Sequence, residues 1–125
     1  MINEKLKEIL ANPQDGALSI VTQGENGPHV VNSWNSYVNI TADEKLLIPV
    51  GRMVDTERNI ERDSRVKLTV ASREVMGKMY KGAGFLITGT ARFDKEGPDF
   101  DVIKSKFPWA RAALAVTIES AEQTL

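Results

Sequence analysis

The sequence predicts a mainly β protein, a closed antiparallel barrel of six strands whose ends are plugged by short helices. Six runs of strand length carry apolar or alternating residues, and turns or short helical patterns separate them. The chain has 125 residues, of which 42% are hydrophobic, enough for one core. Neither an internal repeat nor a linker interrupts it, so residues 1–125 are expected to form a single domain.

Three short helices are predicted from apolar spacing and from capping residues. The first has Leu6, Ile9 and Leu10 at helical spacing. The second follows Gly51 and takes Asp55 or Thr56 as its N-cap. The third begins with Pro98 near its first position. These helices cover residues 3–11, about 56–63 and 97–107.

The predicted strands are runs of apolar or alternating residues between turn signals. A hairpin turn over residues 24–28 joins the first two strands. Residues 75–84 hold three glycines without periodicity, which predicts a mobile loop, and Gly89 indicates a bulge or bend in the fifth strand. Residues 121–125 are expected to be a tail. The strands cover residues 16–23, 30–40, 45–50, 65–72, 85–93 and 112–120.

Composition excludes several classes of protein. The 16 basic and 17 acidic residues leave a formal charge of -1, without the basic excess that binding to a nucleic-acid backbone requires. The absence of cysteine excludes disulfides, iron–sulfur ligation and thiolate metal sites, and a single histidine argues against a histidine-rich metal centre. No run approaches the ~18 apolar residues of a membrane span. We therefore expect a cytoplasmic protein with no nucleic-acid or membrane partner.

The segment NSWNSY is unusually polar for a strand. Asn32 and Asn35 offer hydrogen-bond donors and acceptors, Ser33 adapts to either role, and Trp34 offers a planar face. This set suits a planar, mostly neutral heterocycle. An edge strand with solvated polar residues explains the segment equally well.

The segment PVGRMVDTERN passes from a strand through glycine to the start of a helix. Free N–H groups and the helix dipole favour an anion there, Arg52 adds positive charge, and Gly51 permits close approach. A phosphate would fit, although ordinary N-capping by Asp55 or Thr56 is the commoner explanation of such a pattern. Later in the chain, FPWARAAL places Trp109 just before the last strand, where core or interface packing is commoner than ligand contact.

Taken together, these segments resemble a known family. The order TQGENGPHVVNSWNSY, PVGRM, GFLITGTARF and FPWARAALAVTIESAEQTL is similar to that of the small bacterial FMN-binding proteins of the FMN-binding split-barrel superfamily, which also contains the pyridoxamine phosphate oxidases. The resemblance covers nearly the whole chain. It implies a six-stranded split barrel of Greek-key type, one non-covalent FMN per chain, and a homodimer with flavins near its interface.

The resemblance also implies roles for individual residues. It places Thr56 at the FMN phosphate and brings Trp109 close to the flavin. Where the family carries a lysine just before that threonine, this chain has Asp55, so positive charge must come from elsewhere, with Arg52 and Arg73 as candidates. Leu125, at the end of the tail, is expected to reach the partner subunit's flavin. The remaining implied contacts are Asn32, Ser33, Trp34 and Asn35 around the isoalloxazine and ribityl chain, and Pro49, Val50 and Gly51 along the ring edge.

Two classes of function follow from these assignments. The first is a small electron-transfer flavoprotein that exchanges electrons with a redox partner, and the second is an FMN-dependent oxidoreductase acting on a small molecule. The predicted cofactor residues include no His, Cys, Lys or Glu that could act as general acid or base, which favours the first class. Hydride transfer needs no such group, so the second class stays open. A barrel that binds another heterocycle, or none, is the third possibility.

Overall fold

A computed structural model describes residues 2–125 as one antiparallel sheet with three short helices. The hydrogen-bonded strand order is β2-β1-β5-β6-β7-β4-β3. A 3₁₀ turn at Asn35–Tyr37 links β2 to β3. The helices are α1 (Glu4–Ala11), α2 (Val54–Arg62) and α3 (Pro98–Lys106), and the strands are β1 (Ala17–Gly24), β2 (Gly27–Trp34), β3 (Asn39–Ile40), β4 (Leu46–Val50), β5 (Arg65–Met76), β6 (Lys81–Asp94) and β7 (Ala112–Gln123).

The predicted mainly β antiparallel fold is confirmed, and the barrel is split as the family resemblance implies, with seven strands in place of six. Strands β2 and β3 are the two edges of the sheet, and within residues 2–125 they do not pair with each other. The run at residues 30–40 is not one strand, because the backbone N–H of Asn35 bonds to Gly16 O and the chain turns there. The closed barrel of the sequence prediction is therefore wrong at this edge.

The main core fills the space between the strands and α1. Leu6 and Ile9 of α1 are fully buried against it, as the helical spacing predicts. Strand β4 is buried on both faces: Ile48 enters the main core while Leu47 packs under α3 against Ile103. This double burial fixes the position of β4, whose last residues lead into the turn before α2.

Two local predictions are confirmed by the structure. Pro98 occupies the first turn of α3. Gly89 marks a bulge, since the β6–β7 register shifts between Thr88 and Gly89, and a Cβ at Gly89 would lie 2.1 Å from Thr117 O. No side chain fits at that distance, so glycine is required there.

Three other local predictions are wrong. Most of the expected loop at residues 75–84 belongs to the β5–β6 hairpin, where Gly84 pairs with Ala71 and Ala83 with Ser72. The expected tail continues β7 to Gln123, because residues 121–123 pair with residues 85–87 of β6. The N-cap of α2 is Met53, so Asp55 and Thr56 lie inside the helix. In the first two cases, pairing with a distant segment overrides the local sequence signal.

Candidate functional site

The end of the edge strand β2 presents alternating exposed and buried residues. Asn32 is exposed, and its amide nitrogen Nδ2 donates to Leu18 O at 3.1 Å. Ser33 is buried, whereas 49% of Trp34 is exposed although tryptophan is large and apolar. Asn32 and Trp34 therefore lie on the exposed face of β2. The Asn32 amide is fixed by its hydrogen bond, and the Trp34 indole is partly open to solvent.

Asn35 fixes the turn that follows β2. Its backbone N–H donates to Gly16 O at 2.8 Å, and its Nδ2 donates to Ala71 O at 2.9 Å. The neighbouring residue Ser36 donates through its N–H and its hydroxyl to the Asp15 carboxylate. Burial raises the pKa of Asp15, but these bonds from Ser36 outweigh it and leave that pKa below its ordinary value. Asp15 is therefore a fixed carboxylate that holds the turn.

Trp109 packs between the 3₁₀ turn after β2 and the end of β4. Its ring centroid lies 5.8 Å from that of Tyr37 in the 3₁₀ turn and 5.6 Å from that of Phe107. On its other side, a Cβ built on Gly51 would lie 3.4 Å from Trp109 Cζ3, so the indole lies against the backbone at the end of β4. About half of the Trp109 residue, 51%, stays exposed. The aromatic cluster thus connects the turn after β2 with the turn after β4.

The turn after β4 leads into a helix whose N-terminus is uncapped. Met53 has left-handed backbone angles of φ 53° and ψ 41° and makes no side-chain capping bond. Within residues 2–125, the backbone N–H groups of Val54, Asp55 and Thr56 have no hydrogen-bond acceptor. Free N–H groups and the positive end of the helix dipole attract an anion. The start of α2 is therefore a candidate phosphate site, as the sequence predicts.

Arg111 holds this turn from the side. Its Nε donates to Arg52 O at 2.9 Å, its Nη2 donates to the same oxygen, and its Nη1 donates to Glu57 Oε1 at 2.7 Å. Its backbone N–H bonds to Val50 O at 2.9 Å. Sequence reasoning missed Arg111 and Glu57, because they lie 54 positions apart. An arginine two residues after Trp109 and directly before the last strand was the available signal.

The charges around the start of α2 are mostly paired. Asp55 forms an ion pair with Arg58 at 2.9 Å, and Glu57 forms ion pairs with Lys95 at 2.6 Å and with Arg111. The hydrogen bond from Lys95, with a further one from Arg111, holds the pKa of Glu57 below its ordinary value. Arg52 makes no ion pair within residues 2–125. The unpaired charge nearest to the free N–H groups in sequence is thus positive.

Only two buried side-chain polar atoms within residues 2–125 lack a hydrogen-bond partner. They are Asn35 Oδ1 and Thr56 Oγ1, in residues that are 2% and 0% exposed. A buried polar atom without a partner costs roughly 1–3 kcal/mol, so native proteins keep few of them. Both belong to residues that the sequence assigns to the cofactor.

Leu125 lies apart from the cluster around Trp109. Its backbone N–H approaches Gly84 O at 3.4 Å, and its side chain is 58% exposed. It lines a groove of about 420 Å³ together with residues of β5, β6 and the loop before β1, among them Gly16 and Arg73. Within one protomer, Leu125 is thus held at the surface beside the segment that carries Asn35.

Among the predicted residues, the structure brings Gly51 and Trp109 into contact, and Trp109 in turn reaches the turn after β2 through Tyr37. Pro49 and Val50 are buried and support the turn at Gly51 through their pairing with β7. Tyr37 and Phe107 join the cluster without having been predicted. No helix within the described residues is long and apolar enough to span a membrane, and no cluster of metal-ligating residues occurs among residues 2–125.

An antiparallel barrel whose two edge strands do not pair is a split barrel. Residues 2–124 match the family model of pyridoxamine 5'-phosphate oxidase, and the chain belongs to that family. A curated protein named FMN-binding protein, from Nitratidesulfovibrio vulgaris, is 51% identical over 118 residues that cover 94% of each chain. The predicted resemblance to the FMN-binding split barrels is confirmed.

Solved structures share the fold at much lower sequence identity. HupZ of Group A Streptococcus superposes with a TM-score of 0.80 at 18% identity, covering 99% of this chain and 94% of that one. An FMN-binding protein of Syntrophomonas wolfei gives a TM-score of 0.73 at 15% identity, covering 98% and 85%. At these identities the likeness establishes the split-barrel fold alone.

Proposed function

We propose that the chain binds one FMN non-covalently at the opening between β2 and the start of α2, and that it functions as a small electron-transfer protein. The single observation that carries the proposal is the pair of buried atoms without partners, Asn35 Oδ1 and Thr56 Oγ1. One lies at the end proposed for the flavin ring and the other at the end proposed for the phosphate. The name of the 51% identical relative supports the same cofactor.

The start of α2 fits the phosphate in charge and in hydrogen bonding. Three free N–H groups can donate to phosphate oxygens, and Arg52 supplies a charge that no acidic side chain within residues 2–125 neutralises. The exposed ion pair of Asp55 with Arg58 offsets part of the repulsion between the Asp55 carboxylate and a phosphate. The lysine that the family carries before the threonine is therefore dispensable here, and Arg52 takes its place.

The opposite end of the opening fits the isoalloxazine. Asn32, Ser33 and Asn35 provide neutral donors and acceptors for the polar edge of the ring, and the half-exposed Trp34 and Trp109 provide apolar planar surface. Burying such surface supplies most of the affinity for a flat ligand. Packing within one protomer leaves both tryptophans about half exposed, and a flat ligand would cover that surface.

Electron transfer fits this site better than catalysis on a substrate. FMN, when bound, accepts and releases electrons, so the protein needs only to bind it and leave an edge accessible. The carboxylates beside the opening are already committed: Asp15 to Ser36, and Glu57 to Lys95 and Arg111. Neither is free to act as a general base. An FMN-dependent oxidoreductase remains the second candidate, favoured by the family to which the chain belongs.

The exposed C-terminus favours a homodimer. Leu125 is apolar and 58% exposed, although Thr124 and Leu125 are tied to Gly84 by backbone bonds. A fixed apolar residue at the surface gains from contact with a second subunit. We place it against the partner subunit near its flavin, and an unidentified redox protein would then approach the remaining exposed edge.

Purification with cofactor identification tests this proposal. Denaturing one sample releases the ligand, which is identified by its mass. A second, native sample is reduced and mixed with one-electron acceptors. A third native sample is supplied with NAD(P)H in a steady-state assay. We expect FMN in a one-to-one ratio, rapid exchange with the acceptors, and no sustained NAD(P)H oxidation. Turnover of NAD(P)H would favour the oxidoreductase, and absence of any bound or bindable flavin would reject both functions.

A further inference from the structure

The guanidinium of Arg111 makes three hydrogen bonds that fix its orientation. Two nitrogens of its guanidinium donate to the carbonyl oxygen of Arg52, and a third donates to Glu57. The group also lies over the Phe93 ring at 5.8 Å. Glu57 is itself held by Lys95 at 2.6 Å. The guanidinium is therefore fixed in orientation as well as in position.

The carbonyl of Arg52 has a particular place in the start of α2. In a continuous α-helix it would accept the hydrogen bond from the N–H of Thr56, four residues later. The first such bond in α2 runs instead from Glu57 N to Met53 O, at 2.9 Å. Met53, in the left-handed conformation, is the N-cap, so the Arg52 carbonyl lies outside the helix and accepts from Arg111, and the Thr56 N–H keeps no acceptor within residues 2–125.

We infer that Arg111 is a positioning residue that sets the start of α2 and thereby exposes the backbone donors for the FMN phosphate. The inference rests on the proposed function and names the residue that builds its phosphate end. A point charge would not suffice, since the fork of Nε and Nη2 has to reach one carbonyl while Nη1 reaches Glu57. Arg111 acts on the ligand through the turn.

Arg111→Lys keeps the positive charge but removes the planar guanidinium. It therefore separates the positioning of the turn from the general attraction of a positive charge for the phosphate. The parent, Arg111→Lys and a matched control, Arg65→Lys, are titrated with FMN and with riboflavin, which lacks the phosphate. Arg65 is a suitable control because its guanidinium also binds through two nitrogens, to Asp63 beyond the other end of α2. We expect Arg111→Lys to lower FMN affinity about tenfold, the scale of one charge-assisted hydrogen bond, with riboflavin affinity and the control unchanged.

The outcomes separate this inference from the proposed function. If Arg111→Lys keeps the parent's ratio of FMN to riboflavin affinity, or weakens both ligands equally, the positioning role is overturned while the proposed function stands. If the parent itself does not prefer FMN to riboflavin, the proposed phosphate site fails, and the inference fails with it. Glu57→Gln, which loosens Arg111 without removing it, should give a smaller change in the same direction and serves if Arg111→Lys does not fold.

Discussion

Helices α1 and α2 begin in opposite ways. At α1, the side chain of Asn3 accepts a hydrogen bond from Lys5 N at 2.7 Å, so the helix satisfies part of its own N-terminus. At α2, Met53 offers no capping side chain, and Arg111 occupies the carbonyl that would otherwise serve. The first arrangement serves folding alone, whereas the second leaves donors for something outside the chain.

Helix α3 shows that a missing cap is not sufficient. Its N-cap, Gly97, also makes no side-chain bond. There, however, Pro98 removes one N–H group, and the nearby carboxylate of Asp99 is paired with Lys45 at 2.5 Å. Only α2 combines free donors with a buried hydroxyl that lacks a partner, that of Thr56, within the described residues. The start of α2 therefore differs from that of α1 in its capacity to bind a ligand as well as in its capping.

The two buried threonines of this region provide the largest expected contrast. The Thr22 hydroxyl accepts from Asn59 Nδ2 at 3.1 Å, so Thr22→Val should lower the free energy of unfolding by about 1–3 kcal/mol. The Thr56 hydroxyl has no partner, so Thr56→Val should not destabilise the flavin-free protein and should raise its unfolding free energy by up to about 1 kcal/mol.

Flavin titration completes that contrast. Thr56→Val should weaken FMN by about 1 kcal/mol, the value of one lost hydrogen bond, and leave riboflavin unchanged. Denaturant unfolding of the two flavin-free variants, followed by titration, provides the measurements. Loss of stability in Thr56→Val equal to that in Thr22→Val would show that its hydroxyl is satisfied within the protein.

Removing the cap of α1 gives an intermediate effect. Asn3→Ala should lower the free energy of unfolding by about 1 kcal/mol, because a first-turn N–H loses its acceptor. FMN affinity should not change, since Asn3 is not among the residues of the proposed site and its capping bond is to Lys5 of the same helix. Parallel unfolding and binding measurements decide the point. A loss of FMN affinity in this variant would break the distinction between the two helix starts.

The first-turn acids of the two helices give the smallest contrast. Glu57 has a folded pKa below that of the unfolded chain, so its ion pairs stabilise the protein above about pH 4.5 and are lost as the pH falls through the lowered pKa. Glu57→Gln should remove about 1 kcal/mol or less of stability at pH 7 and flatten its fall in acid. Glu4, which is largely exposed beside Lys7, provides the control.

Unfolding free energies from pH 7 to pH 3 would measure this effect. Glu4→Gln should follow the parent over the whole range. An equal response of the two variants would mean that the ion pairs of Glu57 with Lys95 and Arg111 add nothing to stability.

Local sequence signals predicted much of the fold. The spacing of Leu6 and Ile9, Pro98 at a helix start, and Gly89 at a bulge are decided by neighbouring residues, and all three predictions hold. The course of residues 75–84 and 121–123 is decided by pairing with β5 and β6, which no local pattern reveals. Glycines that suggested a loop are accommodated inside a hairpin.

The site divides in the same way. The polar segment at Asn32–Asn35 and the turn at Gly51 are visible in the sequence because their residue types are unusual for a strand or a helix start. Arg111 and Glu57 are ordinary residues that gain a role only when the fold brings them together. Whether the predicted residues contact FMN stays a prediction.

The measurement that tests the account most directly compares FMN and riboflavin affinity from pH 5 to pH 8. We predict that FMN binds about a hundredfold more tightly than riboflavin above pH 7, the value of two or three charge-assisted hydrogen bonds after desolvation. The advantage should shrink below pH ~6, where a phosphate monoester loses its second charge, while riboflavin binding stays constant. Equal affinities for the two flavins, or an advantage that does not change with pH, would contradict a phosphate bound at the start of α2.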